Sequence, residues 1–120
     1  MKELQGIAVQ RLKHLLCCSF EGGSNYWIDL VETPPKLKRP VEMEFWHEAP
    51  IYGLELVIHH DRDQKVVLDH AALSRGIETF KVTYPKHWQD FVNENEDAIT
   101  GDVFVQCCVF GEAIPKTKMA

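Results

Sequence analysis

Reactive side chains suited to nucleophilic catalysis occur near the first cysteine pair. His14 and Cys18 are four residues apart, so on a helix the imidazole would lie beside the thiol. Cys17 and Cys18 stand in an apolar run, however, where two small hydrophobic residues of a core are the simpler interpretation. Ser24 follows two glycines but lacks the G-x-S-x-G pattern of a nucleophile elbow. The sequence therefore predicts no catalytic residues and no enzyme.

Histidines and carboxylates cluster at His59-His60-Asp61, with Asp63 and His70 nearby in the sequence. Imidazole and carboxylate groups are ligands that zinc and similar ions accept. Consecutive residues on a strand point to opposite faces of the sheet, so only one of the two adjacent histidines can join His70. We therefore expect neither a metal site nor a cofactor.

The most distinctive stretch is the junction Glu21-Gly22-Gly23-Ser24-Asn25-Tyr26-Trp27, which follows an apolar segment. Glycine permits positive φ and close approach, so we expect Gly22 or Gly23 to have a positive φ. The backbone N–H groups of such a turn can hold a phosphate, and the two aromatic rings can stack on a base. A second interpretation stays open, in which the glycines only end a helix and the rings fill the core.

Two distant residues extend this junction into a predicted ligand site. Trp46 offers another ring, and Gln106 lies in an apolar segment, where a buried amide needs hydrogen-bond partners. That amide either reads a base edge or satisfies the Gly-Gly turn. The predicted ligand-binding residues are Gly22, Gly23, Ser24, Asn25, Tyr26, Trp27, Trp46 and Gln106.

Length and composition point to one domain over residues 1–120, with residues 112–120 as a loosely ordered tail. The net charge of −5 argues against a protein that binds duplex DNA through its backbone. Apolar runs are too short to span a membrane, and the first residues lack a signal-peptide pattern, so we expect a cytoplasmic protein.

The four cysteines form two adjacent pairs without C-x-x-C spacing, which indicates reduced, buried thiols.

Periodicity and turn residues predict the secondary structure. Apolar spacing of three and four predicts a first helix over residues 4–20, and alternation predicts strands over 26–32 and 41–46. A β-hairpin is predicted over 54–60 and 65–70.

The second half of the chain is predicted to be mainly helical. Asp69 is the expected N-cap of a helix over 70–81, and Pro85 is expected to begin a helix over 85–93. Residues 102–110 suit either a strand or a helix, and Thr100 as N-cap with Gly111 past the end favours the helix.

These elements predict an α+β fold: a small antiparallel sheet of three to four strands, with an N-terminal helix and two to three C-terminal helices packed on one face.

Two stretches resemble a group of small proteins encoded by phages and prophages. The junction is similar to that group's E-G-G-x-x-Y-W sequence after an N-terminal helix. Asp102 to Glu112 resembles its closing D-x-x-x-Q-x-x-x-F-G-E helix, although a Pro- and Lys-rich tail follows here. The resemblance covers seven and eleven residues of the 120. It implies an accessory protein that acts in the cytoplasm of an infected bacterium and neutralises host defence.

Two functions follow as hypotheses. In the first, the protein sequesters a small anionic ligand such as a cyclic nucleotide, with Lys36, Lys38 and Arg39 supplying local positive charge. The alternative is a protein-interaction inhibitor that blocks a host defence protein with an acidic surface. That surface comprises Glu42, Glu44, Glu55 and the run Glu94-Asn95-Glu96-Asp97.

A homo-oligomer is also expected, because a core this small cannot easily hide all of its large apolar residues. The residues behind this expectation are Trp46, Ile51, Tyr52 and Trp88.

Overall fold

The computed structural model describes residues 3–114 and confirms the α+β class. The strands are β1 (Glu3–Leu4), β2 (Ile7–Ala8), β3 (Ile28–Glu32), β4 (Leu56–His60) and β5 (Gln64–Leu68). The α-helices are α1 (Val9–Cys18), α2 (His70–Thr83), α3 (Pro85–Val92) and α4 (Ala98–Phe110). A π-helical turn (Ser19–Gly23) extends α1, and 3-10 helices cover Lys36–Lys38 and Trp46–Tyr52.

The first helix is shorter than predicted, because the chain begins with a small hairpin. Leu4 of β1 pairs with Ile7 of β2, and the turn between them has positive φ at Gln5 (51°) and Gly6 (79°). Two such residues form the tight turn that best joins antiparallel strands. The helix therefore begins at Val9 instead of Leu4.

The expectation of a positive φ at the Gly-Gly junction is wrong. The φ of Gly22 is 174°, which is extended backbone and not the left-handed region. Gly23 does not have a left-handed φ either. The helix ends through the wider π turn, in which the Ser24 N–H donates to the Ser19 carbonyl oxygen at 2.9 Å. Gly23 is needed for close approach instead: a Cβ there would lie 2.0 Å from the carbonyl oxygen of Ala98.

The predicted strand over residues 41–46 is absent from the structure, where this stretch forms turns and leads into a 3-10 helix. Its alternating pattern does not correspond to burial, since Met43 is buried whereas Val41 and Phe45 are exposed. The preceding segment 33–40 holds three prolines, which supply no N–H to a sheet ladder. The main sheet therefore has three strands.

The main sheet is antiparallel in the order β3-β4-β5, which confirms the predicted hairpin. Leu56 and Ile58 of β4 and Leu68 of β5 are buried, and the helices pack on this side of the sheet. Within the described residues β3 pairs with β4 alone, and a bulge interrupts its register between Ile28 and Leu30. One edge of β3 is therefore free.

The C-terminal helices largely follow their predicted signals. The Asp69 carboxylate accepts from the Ala72 N–H at 2.9 Å, and Pro85 begins α3. Residues 102–110 are helical, but the N-cap of α4 is Asp97, which accepts from the N–H of Thr100 at 3.0 Å. The helix thus begins earlier than predicted and ends before Gly111 at a φ of 78°.

α4 lies at the centre of the molecule and packs on α1, α2 and the π turn. Its residues from Thr100 to Cys108 are buried apart from Val103. Past the helix, Ala113 N–H donates to the Tyr84 hydroxyl at 2.7 Å and Ile114 N–H to Gln106 Oε1 at 2.7 Å. The start of the predicted tail is therefore hydrogen-bonded to the core, while residues 115–120 lie outside the described part.

The two junction glycines differ in their surroundings, so their alanine variants are expected to differ in stability. Gly22→Ala should change the free energy of unfolding by less than about 0.5 kcal/mol, because a Cβ at Gly22 meets nothing within 4 Å. Gly23→Ala should cost about 1–3 kcal/mol, because the new methyl group meets the α4 backbone. Urea denaturation measures both, and equal losses would refute the close-approach role of Gly23.

Candidate functional site

A buried carboxylate, that of Asp102, joins the junction to α4 and is 6% exposed. Its Oδ1 accepts hydrogen bonds from Ser24 Oγ at 2.7 Å and from Trp27 Nε1 at 2.7 Å. Its Oδ2 accepts from the Tyr26 hydroxyl at 2.6 Å and from Gln106 Nε2 at 3.1 Å. We call these five residues the Asp102 network.

The sequence positions both halves of this network. Asp102 and Gln106 are four residues apart on α4, so they lie on the same helix face. The π turn and the loop before β3 bring Ser24, Tyr26 and Trp27 to that face. A buried carboxylate is tolerated only when hydrogen bonds replace its lost hydration. The junction and α4 are thus the two halves of one hydrogen-bond network.

Tyr26 is held as a protonated donor in this network. Burial, followed by the hydrogen bond to Asp102 and its charge, raises the pKa of Tyr26 to about 12. The hydroxyl also accepts from Gln106 Nε2 at 3.0 Å. At neutral pH the phenol therefore donates to the carboxylate and does not titrate.

Three of the eight predicted ligand-binding residues are buried in this arrangement, whereas Gly22 and Tyr26 are exposed. Ser24, Trp27 and Gln106 are at most 5% exposed, and the Trp27 ring packs against Phe110 with centroids 5.2 Å apart. Gly23 lies against the backbone of Ala98. These residues stabilise the junction, and the face of the Trp27 ring is covered.

Two predicted residues, Asn25 and Trp46, instead line an open cleft of about 390 Å³ beside the free edge of β3. We call it the β3 cleft. Its other walls include Phe20, Asp29, Leu30 and Thr33. Phe20 holds Trp46 edge-on, with ring centroids 5.3 Å apart. The structure thus divides the predicted site residues between a buried network and this cleft.

The charges around the β3 cleft are arranged along β3. Asp29 lines the cleft and accepts a hydrogen bond from the Arg62 backbone N–H at 3.3 Å. Thr33 also lines the cleft, and it binds Arg39, whose Nη2 donates to Thr33 Oγ1 at 3.3 Å and to the Pro34 carbonyl oxygen at 2.9 Å. These contacts fix a guanidinium group where β3 ends.

The Cys18–His14 pair has a third member that the sequence did not reveal. Cys18 Sγ is 3.9 Å from His14 Nε2, and His14 Nδ1 is 2.9 Å from Glu96 Oε2. Arg11 also binds Glu96, whose side chain is 1% exposed. Burial raises the pKa of the Cys18 thiol, so the thiol stays protonated at neutral pH and is a poor nucleophile.

The adjacent histidines His59 and His60 point to opposite faces of the sheet, as the sequence predicted. His59 lies beside Glu32 on the outer face of the sheet, whereas His60 is buried against Trp27. Across residues 3–114, no three His, Cys, Asp or Glu side chains are placed to hold a metal ion. The four cysteines, all within this range, are unbridged.

Comparison of the chain with protein-family models, with curated proteins and with solved structures gave no match. None of the described helices has the length and apolar character needed to cross a membrane.

Replacement of the central carboxylate should destabilise the protein strongly. Asp102→Asn replaces one accepting oxygen by an NH₂ group, which cannot accept the hydrogen bonds that this oxygen accepted. We therefore expect a loss of about 3 kcal/mol in the free energy of unfolding. Trp27→Phe removes one donor and should cost about 1–2 kcal/mol. Asp63→Asn, at an exposed hairpin tip, is the matched control and should stay within about 0.5 kcal/mol.

Urea denaturation with intact two-state transitions gives all three values. An Asp102→Asn variant as stable as the Asp63→Asn control would show that the network does not support the fold.

Proposed function

We propose that this chain is a non-enzymatic binding protein that sequesters a small ligand with a flat ring and a negative charge, such as a cyclic nucleotide, in the β3 cleft. The observation that carries the proposal is the placement of Trp46 and Asn25 in one open cleft whose lining includes Thr33, the residue that Arg39 binds. The catalytic alternative is weak because the Cys18 thiol is protonated.

The cleft suits a planar group. Its volume of about 390 Å³ falls within the range of roughly 300–1,000 Å³ for small-molecule sites. Trp46 is only partly buried, and stacking a base on such a ring contributes roughly 1–3 kcal/mol. The exposed Asn25 amide both donates and accepts hydrogen bonds, as recognition of a base edge requires.

The charges favour one orientation of the ligand. A guanidinium group binds phosphate oxygens in a bidentate manner, and Arg39 is held beside Thr33. Lys36 and Lys38 are exposed on the same loop. Asp29 repels a phosphate from the middle of the strand. The ring therefore lies toward Trp46 and the phosphate toward Arg39.

The phage resemblance supplies the biological context of the proposal. Sequestration of a nucleotide signal requires only tight binding and no turnover, which agrees with a cleft that has recognition groups but no activated nucleophile. In this proposal the protein lowers the free concentration of a host defence signal in the bacterial cytoplasm.

A protein-interaction inhibitor is the second candidate, favoured by the exposure of Glu42, Glu44 and Glu55. Its acidic surface is smaller than the sequence indicated. Glu96 is buried against Arg11, and Asp97 caps α4. Two of the four residues of the predicted acidic run thus have partners within the protein, Glu96 in a buried ion pair and Asp97 as a helix cap, which places this candidate below the nucleotide binder.

Ligand binding can be tested by a thermal-shift screen of cyclic mononucleotides and dinucleotides, since a ligand of the native state raises the melting temperature. For a hit, Trp46→Leu should weaken binding roughly 10- to 100-fold through lost stacking. Arg39→Gln should weaken it and reduce its dependence on salt.

Trp88→Leu is the matched control, because Trp88 packs on Phe80 and Phe91 away from the cleft. Calorimetric titration should give the control wild-type affinity per folded molecule. A ligand that binds Trp46→Leu as tightly as the wild type would refute the β3 cleft as its site. If no nucleotide raises the melting temperature, the nucleotide-binding proposal is refuted and the protein-interaction inhibitor becomes the favoured function.

A homo-oligomer is part of the same proposal, although the residues behind it differ from those expected. Ile51 is buried, and Trp46, Tyr52 and Trp88 pack partly against the core. Leu37 and Val41, in contrast, are almost fully exposed on the loop that carries Arg39.

We expect a symmetric dimer that covers this loop, measured by light scattering as twice 13.8 kDa. Leu37→Asp should shift the mass toward the monomer, while Val82→Asp, at an exposed apolar residue of α2, should leave it unchanged. A wild-type mass of 13.8 kDa at all concentrations would refute the dimer.

A further inference from the structure

A second cleft, of about 210 Å³, lies between α1 and the start of the 3-10 helix Trp46–Tyr52. Lys13 and Cys17 line it from α1, and Glu44, Phe45, His47 and Glu48 line it from the other side. We call it the His47 cleft. It is distinct from the β3 cleft, although the consecutive residues Trp46 and His47 line one each.

His47 has an unusual position in this cleft. Its side chain is 2% exposed, and its Nδ1 atom is buried with no hydrogen-bond partner among residues 3–114. Buried polar atoms in native proteins nearly always have a partner, so each exception calls for an explanation. The ring is stacked between Phe20, at 6.4 Å between centroids, and Phe45, at 5.6 Å. Phe45 is itself half exposed.

The protonation state of His47 follows from its surroundings. Burial lowers the pKa of His47, against the opposing effect of the Glu48 and Glu21 charges, so the imidazole is neutral at pH 7. Its Nε2 atom is 3.8 Å from Glu21 Oε1, which favours the tautomer with hydrogen on Nε2. Nδ1 then presents a lone pair, and its missing partner is a hydrogen-bond donor.

The charges of the cleft indicate what kind of donor fits. Lys13 Nζ is 3.3 Å from Glu48 Oε1 and balances that buried carboxylate. Glu48 Oε1 also accepts from the Glu44 N–H at 3.0 Å, while the Glu44 side chain is exposed at the mouth. The remaining negative charge at the mouth favours a cation. The half-exposed Phe45 ring offers a face on which a cation is attracted.

We propose that the His47 cleft binds a small organic cation with N–H donors, an alkylammonium or guanidinium group, which lies against the Phe45 ring and donates to His47 Nδ1 once a small rearrangement of the cleft exposes this buried atom. A volume of about 210 Å³ equals roughly seven waters at about 30 Å³ each, enough for a short amine. The cation belongs either to a free amine or to a lysine or arginine side chain of a partner protein. This site does not depend on the proposed nucleotide function.

The test uses the full chain and three probes at equal ionic strength: n-butylammonium, n-butylguanidinium and tetramethylammonium chlorides. The third has the same charge but no N–H donor. Calorimetric titration should show binding of at least one of the first two and at least tenfold weaker binding of the third. In ¹⁵N-histidine NMR, the Nδ1 resonance of one buried histidine should shift with the first two probes only.

Three variants locate the site. His47→Phe keeps the stacked ring but removes the acceptor, so affinity should fall at least tenfold. Phe45→Ala removes the ring face on which the cation is attracted, so affinity should fall. Trp88→Leu, the matched control at a ring that packs on Phe80 and Phe91 and does not line the His47 cleft, should bind as the wild type does.

Equal binding of tetramethylammonium, unchanged affinity in His47→Phe, or no binding of either donor cation by the wild type would each overturn the proposal. If His47→Phe does not fold, the wild-type Nδ1 shift and the Phe45→Ala affinity decide. The source of the cation follows from a second comparison: a blocked Gly-Lys-Gly peptide that binds more tightly than n-butylammonium indicates a protein side chain, and the reverse indicates a free amine.

Discussion

The fold depends on the removal of one carboxylate from water. Asp102 is buried in α4, and an unpaired buried charge costs far more than the net stability of a domain can supply. Its four donors come from both the junction and α4 itself, so the carboxylate is satisfied only when the loop before β3 lies on the helix. This requirement fixes where β3 begins and hence how the sheet meets the helices.

A second constraint is the close approach of backbones around α4. A Cβ at Gly101 would lie 2.7 Å from the Cβ of Cys18, and one at Gly76 would lie 2.1 Å from the sulfur of Cys108. At both crossings a glycine thus faces a cysteine, which is among the smallest of the buried hydrophobic residues. One cysteine of each adjacent pair, Cys18 and Cys108, therefore has a packing explanation. Their thiols have raised pKa values because of burial, in agreement with a structural role.

The sequence patterns correctly predicted those secondary-structure elements that are stabilised by residues close together in the sequence. The hairpin and the Asp69 cap depend on residues within a few positions of each other. The Asp102 network joins residues 75 to 78 positions apart, and neither stretch alone shows that its polar groups bind the other. Alternation over residues 41–46 predicted a strand, which the structure does not have. The pattern of apolar residues carries no information on the N–H donors that the preceding prolines lack. Of the residues predicted to bind a ligand, Asn25 and Trp46 line a cleft, whereas Ser24, Tyr26, Trp27 and Gln106 bind a carboxylate that is buried in α4 and is distant in sequence from the first three of them.

The network also determines which residues remain for recognition. Ser24, Trp27 and Gln106 use their polar groups inside the protein, so only side chains that the network leaves out have polar groups available at the surface. Those side chains gather around one aromatic stack, in which Phe20 contacts both Trp46 and His47. The 3-10 helix turns these two consecutive residues toward different clefts. Because Phe20 lies in the π turn that the Asp102 network anchors, both clefts depend on the same buried carboxylate for their shape, although the groups that would recognise a ligand are different in each.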